Sequence, residues 1–149
     1  MRAYIRNVSP KGEFEYLFLE YFDQMEAWAD AAVKSLKASG YKQLYQQSID
    51  AGYMVHGEYN YHNILFDATS EKDNYGHRKL NVYTVNFDHF KKNVQVEDLY
   101  YFLRKAMEKQ GFKEWISDGI LNAYSAIIPL GKNELEYLKN RLMYPEKIF

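Results

Sequence analysis

The chain has 149 residues, of which 47% are hydrophobic and 26% are charged, and its formal net charge is −1. A chain of this size can bury about 68–70% of its unfolded surface, so we expect residues 1–149 to form one globular domain. The nearly neutral charge gives no strong field that would attract nucleic acid or anionic lipid. The absence of cysteine excludes thiolate nucleophiles and Cys-based metal centres.

The start of the chain does not resemble a targeting segment, because Met1 leads into charged residues rather than into a long apolar run. No segment approaches the 18 uninterrupted apolar residues that indicate a membrane-spanning helix. We therefore expect a soluble protein with no membrane contact, and cytoplasm is the default location.

Tyrosine is unusually abundant, with 15 copies among the 149 residues. One core cannot hold that many side chains with every hydroxyl group hydrogen-bonded, so many of them must reach the surface. Tyrosine offers a large contact area with few rotatable bonds, which is why it is enriched at protein interfaces. An equally good interpretation is that these tyrosines form the rim of the core.

The N-terminal half predicts one strand and two helices. Apolar and charged residues alternate loosely over Arg2–Val8, which indicates a short strand that ends in a turn-rich segment. From Glu13, apolar residues recur at three- and four-residue steps and predict a long helix up to Ser39-Gly40. A second, short helix is predicted over Tyr41–Asp50.

Two strand-like runs follow, over Tyr53–Ala68 and Arg78–Asp88, and a polar loop over residues 69–77 connects them. We expect these two strands to pair in an antiparallel sheet. A helix is predicted from a cap at Asn93 through Gln110.

Beyond this helix, Leu121–Ile128 is predicted as the last strand, although Phe112–Ile116 is also short and apolar. A capping box that begins at Asn133 predicts a C-terminal helix to about Met143. This order predicts an α+β fold in which helices cover one face of an antiparallel sheet. It is the ferredoxin-like split βαβ pattern with an added C-terminal helix.

Successive side chains of a strand point to opposite faces of the sheet, so the sequence of the two central strands predicts which residues lie on each face. Odd positions should point toward the helices; they are Tyr59, Tyr61, Tyr83, Val85 and Phe87. Even positions should form the open face, which is polar at one end with His56, Glu58, Asn60, His62, Thr84, Asn86 and Asp88. At the loop end, the even positions are apolar and comprise Ile64, Phe66, Leu80 and Val82.

The apolar half of the open face indicates an interaction site. Its occupant is either the C-terminal helix, through Leu135, Leu138 and Leu142, or a second copy of the chain. We therefore predict a macromolecule-binding protein that uses a protein partner or self-association. The binding residues are predicted to be Phe66 and Leu80 together with the loop residues Tyr75, His77 and Arg78.

The alternative is a metal-dependent or acid/base hydrolase-like enzyme centred on His56, Glu58, His62 and Asp88. The first three are suitable ligands for a zinc- or iron-type ion. On a straight strand, however, His56 and His62 lie about 20 Å apart, so a bend at Gly57 would be needed. Glu58 opposite Asp88 would bring two carboxylates together, which is an arrangement suited to acid/base catalysis.

The sequence contains no glycine-rich phosphate loop and no dinucleotide-binding fingerprint, and we predict no cofactor. Nucleic-acid binding is a minor third alternative. It would use basic residues on and around the helix that begins at Asn93, namely Lys91, Lys92, Arg104, Lys105, Lys109 and Lys113.

Overall fold

A computed structural model describes residues 1–72 and 74–146 of the chain. These residues form a mixed α+β structure with six α-helices and two small antiparallel sheets of two strands each. The helices are α1 (Arg2–Asn7), α2 (Glu13–Ala38), α3 (Tyr41–Asp50), α4 (Val96–Lys109), α5 (Glu114–Ser125) and α6 (Lys132–Met143). The strands are β1 (Met54–Val55), β2 (Ile64–Lys72), β3 (Arg78–Thr84) and β4 (Lys91–Lys92).

The core lies between helices rather than between helices and a sheet. Helix α6 packs against α2, α3 and α4, and α5 packs against α4. The apolar stripe of α4 recurs at three- and four-residue steps, so it turns one continuous face toward these neighbours. The buried residues at the centre are Val94, Val96, Leu99, Tyr100, Tyr137 and Leu138.

The long helix, the short helix after it and the C-terminal helix are confirmed. Ser39 separates α2 from α3, because its hydroxyl donates to the Leu36 carbonyl at 2.7 Å and accepts from the Tyr41 N–H at 3.3 Å. The cap of α6 lies earlier than predicted. Its first N–H, that of Gly131, donates to the Glu134 carboxylate at 2.7 Å, so Asn133 is already inside the helix.

Two predicted strands are wrong. The first predicted strand is α1, which is held on α2 by an ion pair of 2.6 Å between Arg2 and Asp23. The guanidinium group of Arg2 also lies 4.9 Å from the centre of the Phe22 ring. The predicted last strand lies largely within α5, where Ile116, Ile120 and Tyr124 follow the helical i, i+4, i+8 spacing across both apolar runs.

The ferredoxin-like arrangement is not confirmed. The long strand predicted over Tyr53–Ala68 is divided into β1, a 3-10 helix at Tyr61–Asn63 and β2. Strand β1 pairs with β4, and β2 pairs with β3, in two separate sheets. Within the described ranges, no helix has both the length and the apolar character needed to cross a membrane. The cytoplasmic location stays a prediction.

Candidate interaction surface

Strands β2 and β3 with the turn between them form an antiparallel hairpin, which we call the β arm. The predicted pairing of even with even and odd with odd positions is confirmed. Phe66 pairs with Val82 and Ala68 with Leu80 on one face of the β arm. On the opposite face, Leu65 pairs with Tyr83 and Asp67 with Asn81. We call the first of these the even face and the second the odd face.

The even face of the β arm is apolar and exposed. The relative exposure is 66% for Phe66, 59% for Leu80 and 57% for Val82. The expected burial of the odd face is wrong, because Tyr83 is 51% exposed. The physical reason is that the helices pack on one another, so neither face of the β arm has a helical layer over it. Six of the seven residues of β3 are exposed.

The C-terminal helix does not serve as the predicted cover of the even face. The buried residues of α6 include Tyr137 and Leu138, and both belong to the core between α4 and α6. Leu135 and Leu142 remain exposed. The apolar residues of the β arm therefore have no cover from this helix.

The predicted loop residues lie at the tip of the β arm. Tyr75 is 86% exposed, and His77 is also exposed. Arg78 begins β3 and pairs with Lys72 in the ladder, after a register irregularity that starts at Ala68. The left-handed backbone at Gly76, with φ of +83°, allows the chain to reverse there.

One ion pair supports the distal part of the β arm. The Lys79 ammonium group lies 2.9 Å from the Glu71 carboxylate, and the Thr69 hydroxyl donates to the Lys79 carbonyl at 3.2 Å. These contacts connect the two strands across the bulge. These cross-strand contacts position the distal part of the β arm, where Tyr75 and His77 are exposed.

The base of the β arm is fixed by amide side chains. Asn63 is buried, and its carbonyl oxygen accepts from the Val85 N–H at 3.0 Å. Its side chain accepts from the Asn86 amide at 2.8 Å and donates to the Glu58 carbonyl at 2.9 Å. This network ties the segment before β2 to the segment after β3, so the β arm leaves the body at a defined place.

His56 is part of the same network and is a structural residue here. Its Nδ1 accepts from the Glu58 backbone N–H at 3.2 Å, so the proton of the neutral ring must be on Nε2. That nitrogen lies 2.8 Å from the Val85 carbonyl oxygen, to which it donates. Both ring nitrogens are thus engaged. The ring is buried, and its centre lies 4.8 Å from that of Phe87.

The chain bends sharply at Gly57, whose φ of +85° is the left-handed conformation. A Cβ atom at this position would lie 2.3 Å from the His89 carbonyl oxygen, so only glycine fits. Asp98 holds this bend from α4, because its carboxylate accepts from the His56 N–H at 2.7 Å and from the Gly57 N–H at 3.0 Å. The bend at Gly57 that a metal site on this segment would require is therefore present.

The bend does not assemble the predicted metal set. His62 is exposed on a 3-10 helix, and its ring contacts that of Tyr61, with centres 4.2 Å apart and planes inclined at 42°. The Glu58 carboxylate is near His89 instead, at 3.6 Å from its Nε2. Among the described residues, no three His, Cys, Asp or Glu side chains are grouped so that they could hold a metal ion.

The acid/base pairing expected of Glu58 and Asp88 depended on two neighbouring strands, and neither residue lies in one. Glu58 follows the bend, and Asp88 lies on a second 3-10 helix, Phe87–His89. The structure therefore provides no ladder that would hold the two carboxylates opposite each other.

Several of the basic residues of the third alternative have partners of their own. Lys91 forms an ion pair of 3.1 Å with the buried Glu97. Arg104 forms one of the same length with Glu108. The Lys109 ammonium group lies 4.2 Å from the centre of the Tyr61 ring. These three side chains are therefore already engaged by groups of the same chain.

Two residues that shape this region could not be identified from the sequence. Asp98 lies 42 residues from the N–H of His56, and Asn63 bonds to residues from both sides of the β arm. Neither contact is local, so no pattern of spacing could reveal it.

No protein-family model, no curated protein and no solved structure matches this chain.

Proposed function

We propose that this protein is an interaction module that binds a polypeptide through its β arm. One observation carries the proposal. Phe66, Leu80 and Val82 share the even face of a hairpin, and each side chain is more than half exposed to solvent. Contiguous apolar surface of this kind is a feature of protein interaction sites.

The geometry of the β arm supports the same function. An isolated two-stranded hairpin is only marginally stable in water, because each strand has one paired neighbour and no packed face. Its outer edges also present unpaired N–H and C=O groups, which template the addition of a further strand. A polypeptide that packs on the β arm would supply both the missing packing and the missing backbone hydrogen bonds.

The partner that we favour is the β arm of a second copy. The described charged residues of the arm nearly cancel, because the two acidic residues Asp67 and Glu71 stand against three basic ones, Lys72, Arg78 and Lys79. With a net charge of −1 for the chain, two copies do not repel each other strongly. Symmetric contacts between identical patches are the commonest basis of homodimers.

The even face is preferred over the odd face as the contact. The odd face places the polar pair Asp67 and Asn81 beside the apolar pair Leu65 and Tyr83. The even face instead has Phe66, Ala68, Leu80 and Val82 as neighbours. Burial of the even face therefore removes apolar area from water without desolvating a carboxylate.

The size of the β arm predicts a weak dimer. A two-stranded ribbon of nine residues is about 30 Å long and about 10 Å wide, so one face offers about 300 Å². Stable complexes bury about 800 Å² per partner. We therefore expect an equilibrium between monomer and dimer that depends on protein concentration.

The test is the native mass of the purified protein across a concentration series. Phe66→Lys places two ammonium groups at the contact and should keep the chain monomeric. The matched control is Asn81→Lys, which adds the same charge on the odd face opposite Asp67. It should associate like the wild-type protein. A wild-type protein that stays monomeric throughout, or equal association of Phe66→Lys, would overturn the proposal.

A further inference from the structure

A second feature, independent of the β arm, is an apolar cleft of about 470 Å³ between α4 and α5. Three aromatic residues line it, namely Tyr59, Phe102 and Tyr124. The rings of Tyr59 and Phe102 are 5.8 Å apart between centres and are inclined at 44°. Apolar side chains of Leu99, Ile120, Ala123 and Ile127 form most of the remaining wall, together with Gln95 and Gly119.

The cleft has one carboxylate in its lining, that of Asp98. This side chain is the third residue of α4, where the helix dipole favours a negative charge. Its two oxygens each accept one backbone N–H, from His56 and Gly57. Within residues 1–72 and 74–146, no Lys, Arg or His side chain forms an ion pair with it.

The surroundings of Tyr124 also indicate a negative field in the cleft. Burial raises the pKa of its hydroxyl, and the charges of Glu134 and Asp98 raise it further. A second cleft of about 460 Å³ shares Tyr59 and Asp98 as lining residues, so the carboxylate borders both spaces.

We propose that this cleft binds an organic ammonium ion with an apolar body. The faces of aromatic rings attract cations, and the attraction is strongest where water is excluded. The Asp98 carboxylate would face the ammonium group, and the walls from α4 and α5 would cover the apolar body. Small-molecule sites commonly combine apolar walls with a few placed polar groups in this way.

Three probes of matched shape test the proposal on the wild-type protein. Phenylbutylammonium, phenylbutanol and phenylpentanoate share one phenylbutyl body and differ in the charge of the head group. Calorimetric titration should show the cation binding about tenfold more tightly than the alcohol, and the anion more weakly than either. Equal binding of cation and alcohol, or no binding of the cation, would overturn the proposal.

Two variants assign the binding to this cleft. Phe102→Leu removes one ring but keeps an apolar side chain. It should weaken the binding of the cation more than the binding of the alcohol. Phe14→Leu is the matched control, because Phe14 is exposed on α2 and does not line the cleft. Asp98→Asn should reduce the preference for the cation over the alcohol, because the carboxylate charge is lost while the rings remain. Since Asp98 also holds the Gly57 bend, melting curves establish whether the variant is folded, and Phe102→Leu decides if it is not. An undiminished preference in folded Asp98→Asn contradicts the assignment.

Discussion

Phe66 and Val82 lie directly opposite each other across β2 and β3, and both side chains are largely exposed. Cross-strand pairs of this type normally belong to a face that packs against a second layer. Here none of the described helices packs on this face, so the pair has no second layer over it. The relationship therefore explains why the β arm, rather than the helical body, is the element to which we assign partner binding.

Replacement of Gly57 by alanine should destabilise the protein. The added Cβ would contact the His89 carbonyl oxygen at 2.3 Å, and φ of +85° is unfavourable for any other residue. We expect a loss of about 1–3 kcal/mol in the free energy of unfolding, measured by urea denaturation. Gly119→Ala is the control, since Gly119 lies inside α5 with open space beside it. The same loss in both variants would contradict the account of the bend.

Removal of metal ions should leave stability unchanged. Both ring nitrogens of His56 are engaged within the chain, the His62 ring contacts Tyr61, and the Glu58 carboxylate lies near His89. The melting temperature after dialysis against a chelator should therefore equal that of the untreated protein. Elemental analysis should detect no transition metal in stoichiometric amount. A chelator-dependent drop in the melting temperature would support the metal-dependent alternative.

Alkaline pH should destabilise the fold through Tyr100. Burial, and then the hydrogen bond to Glu146, raise the pKa of this hydroxyl from 10.0 to about 12. Below pH 10 both states are protonated, so stability does not change with pH through this group and its stabilising contribution is fully present. Between about pH 10 and pH 12 the unfolded state loses the proton first, and stability falls by up to about 1.4 kcal/mol per pH unit.

Urea denaturation at about pH 8 and about pH 11 measures this loss. Tyr100→Phe should reduce the loss between the two pH values, because phenylalanine has no proton to release. Part of the dependence should remain, since burial also raises the pKa of Tyr137. An unchanged pH dependence in Tyr100→Phe would show that another group is responsible.

Helices with a long apolar period could be predicted from the sequence, and so could the hairpin register. The stripe of α2 and the bounds of α3 depend on local spacing and on Ser39, which are readable along the chain. Segments with short apolar runs were predicted wrongly. In α5, turn-like residues around Gly119 lie between two short apolar runs of the sequence. Packing against α4 nevertheless keeps this segment in one continuous helix.

The candidate site was predicted only in part. Even positions of the β arm were identified as an apolar surface because alternation needs no tertiary information. Burial of the odd positions could not be predicted, because it depends on where the helices pack. The bend at Gly57 and its hold by Asp98 join segments distant in sequence, and the aromatic cleft arises only when α4 and α5 meet.

The distance between two β arms is the most direct test of the central claim. Since the chain has no cysteine, Asn81→Cys allows one spin label at the middle of β3. If two arms pack on their even faces, pulsed dipolar spectroscopy should show a label-to-label distance below roughly 30 Å, the length of one arm. Its amplitude should increase with protein concentration and vanish in Phe66→Lys. No intermolecular distance at the highest soluble concentration would contradict the claim.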